Sequence, residues 1–158
     1  MNEAQYTATG VFFDIGITTR IALQNFMAGE DPLMCGLGGE WDNGNGSLMR
    51  IFPAALYCQY KMPAASLHEK ISLIHNISAL THAHPRSKMG CGIYSFVLWA
   101  LFADPTHNGV KNGLSAAFAY YSNQPEYAKE VETYQRVFQE DFSNLPEEEI
   151  KSTGYVAS

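Results

Sequence analysis

Along this chain the apolar positions recur at intervals of three and four, and no stretch shows the strict alternation of a half-buried strand. Ile17, Ile21, Leu23 and Phe26 mark a first helix, with Asp14 or Thr18 as its cap, Met27 near its end and Gly29 just beyond. Residues 29–47 are rich in glycine and carry no period. A stretch of that length without regular structure is usually functional or mobile. Apolar residues return from Leu48 to Tyr60. Pro53 is tolerated only in a first turn, so the regular helix begins near Phe52; Pro63 ends it. Ser66-Leu67-His68-Glu69 is a capping box, and the stripe Leu67, Ile71, Ile74, Ile77 and Leu80 predicts a helix to about Thr81.

Thr81-His82-Ala83-His84-Pro85 reads as a helix end followed by a helix start, with Pro85 near the first helical position. From Ser87 to Phe102 the chain is apolar on nearly every side, which places that helix in the middle of a bundle. Gly90 and Gly92 within it predict the close approach of another helix. Asp104-Pro105 breaks it, Asn112 or Gly113 opens the next through Tyr121, and Pro125 opens another to about Gln139. Tyr127, Val131, Tyr134 and Phe138 are the apolar face of that last helix. The expectation is an all-α, single-domain compact bundle of about six helices over residues 1–158, with no internal repeat of about 20–50 residues. Ser152 to Ser158 reads as a helix start, so the chain is expected to be a fragment or a truncated form.

With 46% apolar and 13% aromatic residues the chain can build a sizeable core and is not disordered. A net charge of −6 argues against a general nucleic-acid binder. The acidic excess sits in residues 126–151, a solvated face or a partner surface. Cys35, Cys58 and Cys91 are odd in number and form no Cys-x-x-Cys pair, which argues against a disulfide framework. The apolar run Ile93 to Ala103 is too short for a bilayer, and no signal-peptide pattern opens the chain. A cytoplasmic location and no membrane partner are expected.

The candidate chemistry centres on Trp41-Asp42-Asn43-Gly44-Asn45-Gly46-Ser47-Leu48-Met49-Arg50. Its first half is turn chemistry in which Gly and Asn tolerate positive φ, and its second half enters a helix. Such a loop can bind an anion, because free backbone N–H groups and the positive dipole end face it. The plainer reading is a surface turn with Ser47 or Asn45 as an ordinary cap. Asp42 and Glu40 are the nearest carboxylates for acid–base work. His68, His75 and His82 recur every seven residues, about 10 Å apart along a helix, so they cannot share one metal. His82 and His84 lack an evident third ligand, and His82 also fits a plain helix C-terminus.

Gly-Asn-Gly-Ser-Leu-Met-Arg at 44–50, followed by an apolar helix with proline, resembles the loop of the ADP-ribosylglycohydrolases, the dinitrogenase-reductase-activating glycohydrolase family. Phe13 to Thr19 looks like the segment that precedes that loop, Ser78 to Pro85 is similar to the family's Thr-His segment, and Ser152 to Val156 looks like the start of a further family helix. The resemblance implies an all-α fold lacking its terminal helices, and hydrolysis of the glycosidic bond between ADP-ribose and a modified side chain. Magnesium or manganese is implied for the intact family. By position, Gly44, Asn45, Gly46 and Ser47 would wrap ribose and phosphates, and Asp42 would handle the ribose and the proton. His82 would face phosphates or the distal ribose, and Tyr155 would stack on a base or ribose.

The family's metals are held by a Thr-Asp-Asp segment upstream and an Asp-x-Asp-Thr segment downstream. Asp14, Asp31, Asp42, Asp104 and Asp141 supply neither pattern. Hard cations need clustered oxygens. This chain alone is therefore expected to bind no magnesium or manganese and to be inactive or weakly active. ADP-ribose or an ADP-ribosylated protein is the expected ligand, with self-association or a complementing chain as expected partners. The alternative is a non-catalytic helical protein that keeps the fold for ADP-ribose binding or as a scaffold.

Overall fold

Seven α-helices follow one another in the computed structural model, which describes residues 9–11, 15–141 and 145–149. They are α1 (Ile17–Met27), α2 (Phe52–Lys61), α3 (Leu67–Ala79), α4 (Pro85–Ala103), α5 (His107–Ser122), α6 (Ala128–Thr133) and α7 (Gln135–Gln139). Short 3-10 turns lie at Pro32–Met34, Leu48–Arg50, Pro125–Tyr127 and Glu147–Glu149. The described residues hold no β-strand; Leu37 and His82 make an isolated parallel bridge.

Helix α4 is central, as its all-round apolar pattern predicts. On one side Met89, Ile93 and Phe96 pack with Ile71 of α3, Ala117 and Tyr121 of α5, and Tyr127 and Tyr134. On the other, Cys91 packs with Ile51, Ala54, Ala55 and Cys58 around α2 and with Ile74 of α3. Each large apolar side chain so buried contributes about 1.5–3 kcal/mol. Trp99 adds a directional tie, its indole N–H donating to the Ala55 carbonyl at 2.9 Å.

The local signals at α2, α3 and α4 operate as read. Pro53 sits in the first turn of α2. Ser66 Oγ accepts from the Glu69 amide at 3.2 Å, and Glu69 reaches back to the Ser66 amide at 2.7 Å. Pro85 is the first residue of α4, and the His84 ring caps it by accepting from the Arg86 amide at 3.0 Å. Gly29 follows α1 with a φ of 96°.

Three expectations need correction. The N-cap of α1 is Gly16, without a side-chain bond; Thr18 lies inside the helix and Asp14 outside the described residues. Ala22 is the one buried residue of α1, while Ile17, Leu23 and Phe26 are exposed. No described helix packs broadly on α1, so its apolar stripe has nothing to bury against. Helix α5 starts at His107, earlier than Asn112, because Thr106 Oγ1 caps the Asn108 amide at 3.2 Å and Asp104 Oδ1 accepts from Thr106. The predicted helix from Pro125 to Gln139 is instead a 3-10 turn, α6 and α7, broken at Tyr134. Tyr134 is buried and donates its hydroxyl to the Arg86 carbonyl of α4 at 3.0 Å.

The crossing of α4 and α5 depends on small residues. A Cβ on Gly113 would stand 2.5 Å from the Val97 Cα, and one on Gly92 would collide with the Tyr121 hydroxyl. Gly113→Ala should therefore destabilise the protein by about 1–3 kcal/mol through overpacking, although an exposed helical site would gain about 1 kcal/mol from the same change. Urea unfolding reads the sign directly, and a stabilised variant would contradict the packing described.

His75 gives a second prediction. Its Nε2 lies 2.8 Å from Tyr121 Oη and its Nδ1 3.1 Å from Tyr127 Oη. Burial holds its pKa down to about 3 from the usual 6.5, with the Lys88 and His68 charges acting the same way. The folded protein keeps His75 neutral, whereas the unfolded chain takes up a proton below pH 6.5. Its contribution is complete above that pH and is lost as pH falls toward 3. At about pH 5 the loss should be about 2 kcal/mol. Denaturant melts at about pH 7.5 and pH 5 should differ by this amount in wild type and by less in His75→Gln. Equal stability of wild type at both values would refute it.

Candidate functional site

The glycine-rich segment before α2 is pinned against the junction of α3 and α4. Asn25 Nδ2 donates to the Cys35 carbonyl at 3.0 Å, and the Ala83 amide donates to the Leu37 carbonyl at 2.8 Å. Gly36 lies so close to the Ala79 carbonyl that a Cβ there would collide with it. Further along, Glu40 meets Lys129 at 3.2 Å, Arg86 at 3.3 Å and the His84 ring at 3.7 Å. The Lys129 ammonium, with help from Arg86, holds the Glu40 carboxyl below its usual range. Arg86 also grips the buried Glu130 at 2.8 Å. Glu40 thus ties the loop to Arg86 and Lys129 while about half of its side chain stays exposed.

The chain then turns through Asp42 to Ser47. Gly44, Asn45, Gly46 and Met49 line one wall of a cavity of about 430 Å³. Ile15, Gly16, Thr18 and Thr19 from the start of α1 line another, and His82 closes the site. Gly44 and Gly46 do not adopt positive φ, which corrects the reading of this loop; among described glycines only Gly10 and Gly29 do. Space is the reason for glycine at 46. A Cβ there would stand 2.8 Å from His82 Cε1 and 3.1 Å from Nε2, whereas one at Gly44 would make an ordinary contact at 3.7 Å.

His82 is held from two directions. Cys91 Sγ donates to Ser47 Oγ at 3.5 Å, Ser47 Oγ lies 2.9 Å from Ser78 Oγ, and Ser78 Oγ donates to the His82 carbonyl at 3.0 Å. This chain of hydroxyls joins α4, the loop and the His82 backbone. The ring is held by Thr81, whose Oγ1 lies 2.8 Å from His82 Nδ1. Thr81 in turn accepts from Arg50 Nη2 at 2.6 Å, and the same guanidinium nitrogen donates to the Ile77 carbonyl at 3.0 Å. Arg50, at the end of the Leu48–Arg50 turn, thereby caps the C-terminus of α3. Burial, and next the Arg50 charge, push the His82 pKa down, with Asp42 opposing. A neutral imidazole therefore faces the cavity at neutral pH.

The structure brings Gly44, Asn45, Gly46 and His82 to one cavity. Ser47 is fully buried beneath it and spends its hydroxyl on Ser78 and Cys91, so its side chain is a support and neither a helix cap nor part of the lining. Asp42 is not among the lining residues; it is half-buried, with Oδ2 accepting from the Gly39 amide at 3.1 Å. Tyr155 lies outside the described residues. Sequence reasoning passed over Thr19, Met49, Arg50 and Thr81 as individual site residues, although the Thr-Thr and Thr-His pairs lay within stretches that carried the resemblance.

Among the described residues, no three His, Cys, Asp or Glu side chains stand close enough to share an ion. Asp42 is tied to Gly39, Glu40 to cations, and His84 caps a helix, so the described donors do not fit a two-metal centre. Also among the described residues, no helix is long and apolar enough to cross a membrane.

A family model described as ADP-ribosylglycohydrolase matches residues 1–158. No curated protein and no solved structure matches the chain. The family match takes in the Gly44–Gly46 loop, the Thr81-His82 turn and every helix that holds them together: the chain belongs to the ADP-ribosylglycohydrolase family.

Proposed function

We propose that the cavity between the start of α1, the Gly44–Gly46 loop and His82 binds ADP-ribose, and that this chain is the ligand-binding core of an ADP-ribosyl hydrolase. The family's reaction is hydrolytic and its substrates carry ADP-ribose. The observation that supports the reading is the packing of Gly46 on the His82 ring, which brings the loop backbone and the imidazole together in one cavity with no side chain between them. Asn45, Thr18 and Thr19 offer polar groups suited to hydroxyls and phosphoryl oxygens. Asp42 would steady positive charge that develops on the ribose as its glycosidic bond breaks. Ser47 serves the ligand indirectly, through the loop, and Tyr155 is the proposed stacking group.

Turnover by this chain alone should be slow or absent, because its aspartates form neither of the metal-holding segments that the family resemblance implies. Magnesium or manganese ligands would then come from a complementing chain. Ile17, Phe26, Met27 and Met34 near the start of the chain are exposed apolar side chains that such a chain or a second copy would cover. Three unpaired thiols suit a reducing, cytoplasmic setting.

Calorimetric titration with ADP-ribose, once in EDTA and once in excess magnesium, tests the reading together with two variants. Wild type should bind equally in both buffers. Gly46→Ala, which presses on His82, should weaken binding at least about tenfold, the equivalent of 1.4 kcal/mol, while Gly44→Ala should stay within about threefold. Wild-type binding that needs magnesium would contradict the metal-free core, and absence of binding in both buffers would sink the ADP-ribose pocket and leave a scaffold.

A further inference from the structure

Resting on that reading of the cavity, we propose that Arg50 and Thr81 lock His82 as the tautomer protonated on Nε2, so that the cavity meets its ligand with a hydrogen-bond donor at this point.

The assignment follows from counting protons. Among the described residues, Thr81 Oγ1 has two hydrogen-bond partners, Arg50 Nη2 at 2.6 Å and His82 Nδ1 at 2.8 Å. A guanidinium only donates, so Thr81 Oγ1 accepts from Arg50. The hydroxyl keeps one proton of its own, and Thr81 is buried, so that proton needs an acceptor. His82 Nδ1 is the acceptor in reach. Were Nδ1 protonated, the Thr81 oxygen would face donors on both sides while its own proton went unpaired. A doubly protonated ring would fail in the same way and would add a positive charge beside Arg50.

Arg50 cannot readily turn aside, since Nη2 is also fixed by the Ile77 carbonyl at 3.0 Å and the Ser78 carbonyl at 3.5 Å. With Nδ1 engaged as an acceptor, the one ring proton sits on Nε2, the nitrogen 3.1 Å from where a Gly46 Cβ would be. A neutral N–H there suits a phosphoryl or hydroxyl oxygen and disfavours a ligand group that presents its own N–H. Thr81 and Arg50 are thus positioning residues, acting on specificity through His82 without touching ligand.

Histidine 15N chemical shifts of the ligand-free protein at about pH 7.5 test this without relying on ADP-ribose. His82 should show an unprotonated Nδ1 and a protonated Nε2; the reverse pattern overturns the proposal. Thr81→Val removes the hydroxyl at nearly constant shape and should give a mixture of tautomers with ADP-ribose affinity lowered about tenfold, the equivalent of one hydrogen bond. Thr81→Ser should restore both. Weaker affinity in Thr81→Val with the tautomer unchanged would also overturn the proposal, since Thr81 would then be merely structural. Should Thr81→Val fail to fold, the wild-type and Thr81→Ser spectra decide alone. A wild-type protein that shows the Nε2–H tautomer but binds no ADP-ribose would retire the cavity reading and leave the lock standing.

Discussion

The site depends on how closely the Gly46 backbone lies against the His82 ring. That contact holds only if loop and ring are fixed independently, because neither is part of a regular element. The loop is fixed from below by Ser47, through Cys91 and Ser78. The ring is fixed by Thr81, and Thr81 by an arginine that also caps α3. Ser47, Ser78, Thr81 and His82 are buried, where each bond is hard to replace and each loss leaves an unpaired donor or acceptor, while Arg50 reaches them from an exposed position.

Those polar ties need a rigid base, and α4 supplies it. Its buried face carries Cys91, which reaches Ser47, and its N-terminal turn carries Arg86, which holds the loop through Glu40 and the Pro125–Gln139 segment through Glu130. The glycine crossing with α5 and the half-buried His75–Tyr121–Tyr127 contact lock α3, α4 and α5 at one spacing. The Thr81-His82 turn sits where α3 hands over to α4, so the stability of this three-helix unit sets the position of the imidazole. Core packing and site geometry are one problem in this protein.

Much of this was legible in the residues. The capping box at Ser66, Pro53 and Pro85 in first turns, and the all-round apolar α4 are local signals, and local signals are written in adjacent side chains. The start of α5 is obscured in the sequence because Gly109 and Gly113 lower helix propensity, whereas in the fold Gly113 admits Val97 of α4 and Gly109 lies close against the Asp104 carbonyl. The break at Tyr134 depends on a bond to Arg86, 48 residues away in sequence, which no periodicity reveals. Likewise the loop glycines, Asn45 and His82 stand out in the sequence through turn chemistry and the family resemblance, but Arg50 and Thr81 stand 31 residues apart and come together only in the folded chain. The inward turn of Ser47 belongs to the same class: a hydroxyl in a glycine loop reads as a cap or a ligand contact until its buried partners are seen.

The account places the ligand at the Gly44–Gly46 loop and away from the neighbouring, mostly apolar cavity that Ala22, Leu23, Phe26, Pro32, Cys35 and Leu80 line together with Arg50 and Thr81. A two-dimensional amide NMR titration of the full chain with ADP-ribose separates these directly. The account predicts the largest shifts at the Gly44, Asn45, Gly46 and Thr19 amides and at His82, with Gly113 at the α4–α5 crossing unmoved. Shifts gathered on Ala22, Leu23, Phe26 and Cys35, with the loop amides silent, would contradict it.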